Sequence, residues 1–145
     1  MGIVIGSTCK DASPAEAAGA IFGYTCINDV TALQILDADP SFPQWARAKG
    51  FDTFGVFGPS IVTDTDISGS AIKAELNGRE RQNYAVSDLF MQPAEIVSHL
   101  SAAMTLNPGD LIACGTGPGA LPMKPGAAID IIIDGIGTLS NSYDA

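Results

Sequence analysis

Apolar positions along the chain fall into short runs broken by polar or Gly/Pro punctuation, and most runs predict strands. Gly2 to Ile5 predicts a short buried strand, and Tyr24 to Val30 is rich in β-formers. Phe51 to Phe57 and Ser60 to Thr63 predict two more strands, joined at Gly58-Pro59. Ala71 to Leu76 and Arg79 to Tyr84 flank Asn77-Gly78, a pair that readily supplies the two positive-φ residues of a type I′ turn, so a β-hairpin is expected. A further strand is expected over Leu111 to Cys114. Ala128 to Ile133 and Ile136 to Ser140 predict a second hairpin about Asp134-Gly135. Helical signals are fewer. Ser13-Pro14-Ala15-Glu16 has an N-cap, a proline at the first helical position and a glutamate closing a capping box, and Gly23 is the expected stop. Thr31 to Leu36 predicts a short helix. Pro93 to Met104 places Ile96, Val97, Leu100 and Met104 on one face at helical spacing. The expected fold class is mainly β with a few helices (α+β), residues 1–145 forming one domain.

Composition narrows the function. Hydrophobic residues are 46% and charged residues 16%, which excludes a disordered chain. The net charge of −9 and the lack of a basic cluster beyond Arg79 and Arg81 argue against nucleic acid and against anionic membranes. No apolar run reaches the ~18 residues of a membrane span. The three cysteines, Cys9, Cys26 and Cys114, are far apart and odd in number, so free thiols in a reducing, cytoplasmic setting are expected. The opening residues carry no basic, apolar leader pattern. They begin within a predicted strand, as the interior of a longer protein would.

Several constellations invite a chemical reading. Asp64 to Glu75 fits the spacing of a calcium loop, but both flanks are strands, so a polar turn is expected. Gly115-Thr116-Gly117-Pro118-Gly119 offers backbone N–H groups to an anion without the Lys-Ser/Thr of a P-loop; a turn or a small carboxylate pocket is expected there. His99, the only histidine, has no evident partner and is expected at the surface or in an interface. Trp45 is expected to pack. Asn28-Asp29 closes an apolar strand ahead of a helical turn; Asp29 is either a helix cap or a hard-metal ligand, and the local residues favour the cap.

Three stretches alter that balance. They are Gly23-Tyr24-Thr25-Cys26-Ile27-Asn28-Asp29-Val30-Thr31-Ala32; then Gln44-Trp45-Ala46-Arg47-Ala48-Lys49-Gly50-Phe51-Asp52-Thr53-Phe54 with Gly58-Pro59; then Met104 to Thr116, followed by Asp134 to Asn141. In this order and spacing the chain resembles the catalytic domain of the fumarylacetoacetate hydrolase family over nearly its whole length. The resemblance implies a mixed β-roll, a homodimer and Mg²⁺ or Mn²⁺ at the site. It implies hydrolysis of carbon–carbon bonds in small 2-oxo acids or acylpyruvates of aromatic catabolism, with isomerisation or decarboxylation as alternatives. By the same resemblance Asp29 is a metal ligand, Lys49 the active-site lysine, and Gly115 and Thr116 the loop that touches the substrate carboxylate.

The chemistry is coherent, since a divalent ion polarises a 2-oxo acid and a nearby ammonium stabilises oxyanion charge. Against the family pattern, the Glu-x-Glu metal pair would precede Met1. The domain is therefore expected to lack its N-terminal segment, which leaves the ion a single ligand and poor binding. Its first strand is then expected to keep partners on one side only. The arginine common four residues after the metal aspartate is Leu33 here. A second class of function is a metal-free dimerising remnant.

Overall fold

The computed structural model describes residues 1–144. Among these residues, eight strands form two antiparallel four-stranded sheets. The first has the order β3(Val56–Val62)-β2(Ile21–Asn28)-β1(Gly2–Ile5)-β6(Leu111–Ala113). The second has the order β5(Arg79–Ala85)-β4(Ala71–Leu76)-β7(Ala127–Ile133)-β8(Gly137–Tyr143). Four short α-helices accompany them: α1(Pro14–Ala20), α2(Leu33–Asp37), α3(Trp45–Lys49) and α4(Pro93–Ala103). The mainly-β architecture with a few helices is as the sequence implies.

Two apolar clusters hold these layers together. Cys26 from β2 meets Ile72 and Ala74 of β4, Ile131 and Ile133 of β7, and Leu139 of β8, which joins the two sheets. On the first sheet Ile3, Ile5 and Ile112 pack with Ala17 and Ala20 of α1 and Val97 of α4. The α1 start is the capping box read from sequence: Ser13 Oγ accepts from the Glu16 amide, and the Glu16 carboxylate accepts from the Ser13 amide at 2.9 Å.

Four local expectations are corrected. The first strand is not open on one side; β1 pairs with β2 through Gly2↔Thr25 and with β6 through Gly2↔Ala113. Gly23 does not stop α1. It lies inside β2, where a Cβ would stand 2.5 Å from the Val62 carbonyl oxygen, so the close approach of β3 is what demands glycine. Phe51 to Phe54 is a turn rather than a strand; Thr53 and Gly55 both have positive φ, and the Phe51 and Phe54 rings meet as a tilted pair with centroids 5.4 Å apart. Val56 to Val62 is one strand running through Gly58-Pro59 rather than two. The Asp64–Glu75 stretch is, as expected, a polar turn ending in β4: Asp66 Oδ1 accepts from the Ser68 amide at 2.9 Å, and Glu75 sits in the ladder opposite Glu80 and Asp130. No helix of the described residues is long and apolar enough to cross a membrane.

Candidate active site

Strand β2 carries the chain to Asn28, which is buried and whose Nδ2 donates to Asn141 Oδ1 of β8 at 3.5 Å. The next residue, Asp29, leaves the sheet in a turn closed by the Val30 amide donating to the Asn28 carbonyl at 3.0 Å. Asp29 does not cap α2, whose N-cap is Ala32 without any side-chain bond. Its carboxylate instead accepts from the Lys49 ammonium, an ion pair across 20 residues. Lys49 is the last residue of α3. That helix is tied to the Asp29 segment by the Ala32 amide donating to the Ala48 carbonyl at 2.9 Å, and Ala48 is fully buried. The Lys49 ammonium also stands 5.7 Å from the centroid of the Trp45 ring, one helical turn back. Trp45 therefore does not pack inside; it is 57% exposed and lines the site.

The Gly-Thr loop arrives from the other direction. Strand β6 is held by β1, and Gly115 follows with φ of +90°, a turn that favours glycine. Asp29, Lys49, Gly115 and Thr116 all line one cavity of about 370 Å³, so the four residues singled out from the sequence meet in space. A further wall comes from the β4–β5 hairpin, which contributes Lys73, Glu75, Arg81, Gln82 and Tyr84. Sequence reasoning did not find these five. The Asn-Gly turn located the hairpin, but nothing local shows which loop packs against it. Leu33, Leu121 and Met123 make the cavity partly apolar.

Charge in the cavity runs against the chain as a whole. Three of the seven Lys and Arg residues line it, against two of the 16 acids, and one of those acids is engaged by Lys49. Burial raises the Tyr84 hydroxyl above its ordinary value, so it stays a neutral donor at physiological pH. Burial also pushes the Cys114 thiol, next to Gly115, up to about 11, which keeps it from acting as a thiolate. His99 is exposed on α4 and is not among the residues of the cavity wall.

A divalent ion finds few ligands among these side chains. Among the described residues no group of three His, Cys, Asp or Glu side chains could hold one. Mg²⁺ demands near-octahedral oxygen coordination and dehydrates reluctantly. The carboxylates at hand are Asp29 and Glu75, which do not make a full set.

Comparison with known proteins adds the lineage. The family model described as fumarylacetoacetate (FAA) hydrolase C-terminal matches residues 1–143. A Mycobacterium tuberculosis protein is 44% identical over 144 residues, covering 97% of this chain and 53% of its own length. The crystal structure of 5-carboxymethyl-2-hydroxymuconate delta-isomerase from Mycobacterium smegmatis superposes with a TM-score of 0.93 at 45% identity, covering 99% of this chain and 56% of that one. Fumarylpyruvate hydrolase from Pseudomonas aeruginosa, solved in complex with Mn²⁺ and pyruvate, gives 0.91 at 28% identity, covering 99% and 63%. The chain thus spans a little over half the length of these relatives.

Proposed function

Matched over residues 1–143, the chain belongs to the fumarylacetoacetate hydrolase family, and we propose that its cavity takes a small 2-oxo acid or acylpyruvate for metal-dependent hydrolysis of a carbon–carbon bond. The observation that carries the reading is the convergence of Lys49, Thr116 and Arg81 on one cavity of an otherwise acidic chain. An anionic ligand meets its complement there and little of it elsewhere.

In this reading Thr116 and the Gly115 backbone hold the substrate carboxylate. Lys49, positioned by Asp29 and Trp45, stabilises negative charge that develops on the ketone oxygen. Cleavage adds water across the bond: the oxygen joins the acyl carbon, the methylene carbon takes a proton, and a carboxylic acid and a 2-oxo acid leave. Asp29 is the one ligand assigned toward Mg²⁺ or Mn²⁺, and the described residues do not complete that site. The 145 residues serve as one catalytic domain, paired with a second copy. The three free cysteines, two of them buried, suit a reducing cytoplasm.

Isomerisation is the second reading, favoured by the two isomerases from Mycobacterium among the structural relatives, each 45% identical. The test is incubation with acetylpyruvate and Mg²⁺ in deuterated water, followed by proton NMR. Pyruvate and acetate appearing together, and lost in Lys49→Met, support the hydrolase. Because the acetylpyruvate methylene exchanges spontaneously, the isomerase is read from a parallel incubation with a 2-hydroxy-2,4-dienoate: conversion to the 2-oxo isomer without cleavage, lost in the same variant, supports it. Neither turnover nor pyruvate binding would leave the dimerising remnant.

A further inference from the structure

Gln82 lies on β5, half-buried, with its carboxamide at the loop that follows β6. Its Nε2 donates to Thr116 Oγ1 at 2.9 Å, to the Gly117 carbonyl at 2.5 Å and to the Pro118 carbonyl at 3.3 Å. A primary amide has two N–H donors, so the longest of these contacts shares a hydrogen with another. Among the described residues no backbone hydrogen bond joins residues 115–119 to β5. Two side chains make that junction: the Gln82 carboxamide, and Tyr84, whose hydroxyl meets the Gly117 backbone.

The loop is shaped to be held there. A Cβ on Gly117 would stand 2.8 Å from two ring carbons of Tyr84. One on Gly119 would stand 2.1 Å from the Arg81 carbonyl oxygen, at a φ of +100°. The loop backbone therefore lies directly on β5 on either side of Gln82. The bond to Thr116 has a second consequence. Its oxygen accepts from Gln82, so its own hydrogen must point elsewhere. The protein acceptor it has is the Gly117 carbonyl at a long 3.4 Å, which leaves the hydroxyl free to donate into the cavity.

We infer that Gln82 is a positioning residue: it seats the Gly115–Gly119 loop on the hairpin and fixes the Thr116 hydroxyl as a donor to an anionic group bound in the cavity. The donor part rests on the proposed 2-oxo acid site; the seating does not. The experiment uses the 145-residue chain with pyruvate as probe. Amide exchange protection of Gly115, Thr116, Gly117 and Gly119 reports the loop, Pro118 having no amide hydrogen, and that of β4 reports the hairpin.

Gln82→Met is expected to lower loop protection roughly three- to tenfold and to weaken pyruvate binding, with β4 unchanged. Gln82→Glu does the same at neutral pH, because a carboxylate has no donor for two carbonyls. It recovers protection as pH falls through the carboxylate range and an O–H returns, which a packing role would not produce. Thr116→Val approaches the junction from the loop side and gives a smaller loss of protection with the same loss of pyruvate binding; it decides the matter if Gln82→Met unfolds the hairpin. Loop protection unchanged in Gln82→Met, or independent of pH in Gln82→Glu, overturns the seating. Full pyruvate affinity in Thr116→Val overturns the donor role. A wild-type chain that binds no pyruvate overturns the site reading and the donor role with it, while the exchange data still decide the seating.

Discussion

Asp29 and Lys49 lie 20 residues apart, and their pairing sets what each is worth. Both side chains are well over a quarter exposed, so the ion pair adds under ~1 kcal/mol to stability. Asp29→Ala is therefore expected to leave the unfolding free energy in urea within that margin, while turnover of the acylpyruvate, assayed at saturating Mg²⁺, falls by roughly a hundredfold or more. The same shortage of ligands makes Mg²⁺ binding by this chain weak; a micromolar one-to-one calorimetric isotherm would contradict it.

Gly119 makes the opposite prediction. Gly126 also has positive φ, but a Cβ there meets nothing, whereas on Gly119 it meets a backbone carbonyl that cannot swing aside. Gly126→Ala should cost ~1 kcal/mol and Gly119→Ala ~2–3 kcal/mol in chemical denaturation, with a change in the loop resonances only in the second.

Cys114 gives a pH signature. Burial moves its thiol from an ordinary 9.0 to about 11, so the folded chain keeps a proton that the unfolded chain releases. The contribution is complete below about pH 9 and is lost as pH rises toward 11, each pH step of one across that window removing up to ~1.4 kcal/mol. Cys26, Tyr24 and Tyr84 are raised by burial as well and share this alkaline loss. Denaturation at pH 8, 9 and 10 should show a shallower decline in Cys114→Ala than in the wild type.

At the scale of elements, the legible pieces were those whose signal is local. Ser13, Pro14 and Glu16 build their own cap, and Asn77 and Gly78, with φ of 53° and 69°, build their own turn. The illegible ones depended on distant neighbours. Gly23 looks like a helix stop until Val62 is brought against it. Trp45 looks like core until α3 is placed at the cavity mouth. Among site residues, Asp29, Lys49, Gly115 and Thr116 came from a motif resemblance, and the cavity joins them. Gln82 carried no signal because its partners are the carbonyls of a loop 35 and 36 residues on.

The hairpin has a prediction of its own. Asn77 supplies the turn and also clasps β7: its amide donates to the Ala128 carbonyl at 2.8 Å, and its Oδ1 accepts from the Ala128 amide at 2.9 Å. Asn77→Ala keeps the first bond, loses the second and strains the positive φ. A loss of ~1–2 kcal/mol is expected, read as a lower denaturation midpoint, together with faster amide exchange across β4 and β5.

For the whole molecule, the question is what covers the apolar surface that folding leaves outside. The open edge expected at β1 is closed on both sides, by β2 and β6. One edge of the same sheet is β3, paired with β2 alone; the other is β6. On β3, Phe57 and Ile61 are 55% and 42% exposed, and Phe22 on neighbouring β2 is 54% exposed. A cluster of exposed large apolar side chains marks a face for association. Residues Val56 to Val62 contain no Lys, Arg, Asp or Glu to discourage it. A second copy offers the same face, and two copies packed across a two-fold axis cover both. The chain is therefore expected to sediment as a dimer at tens of micromolar. Phe57→Lys and Ile61→Lys, both at exposed positions, should convert it to monomer with little loss of fold, as read by circular dichroism. A wild-type chain that stays monomeric across that range would overturn the role of β3, and a dimer indifferent to both substitutions would place the interface on another face.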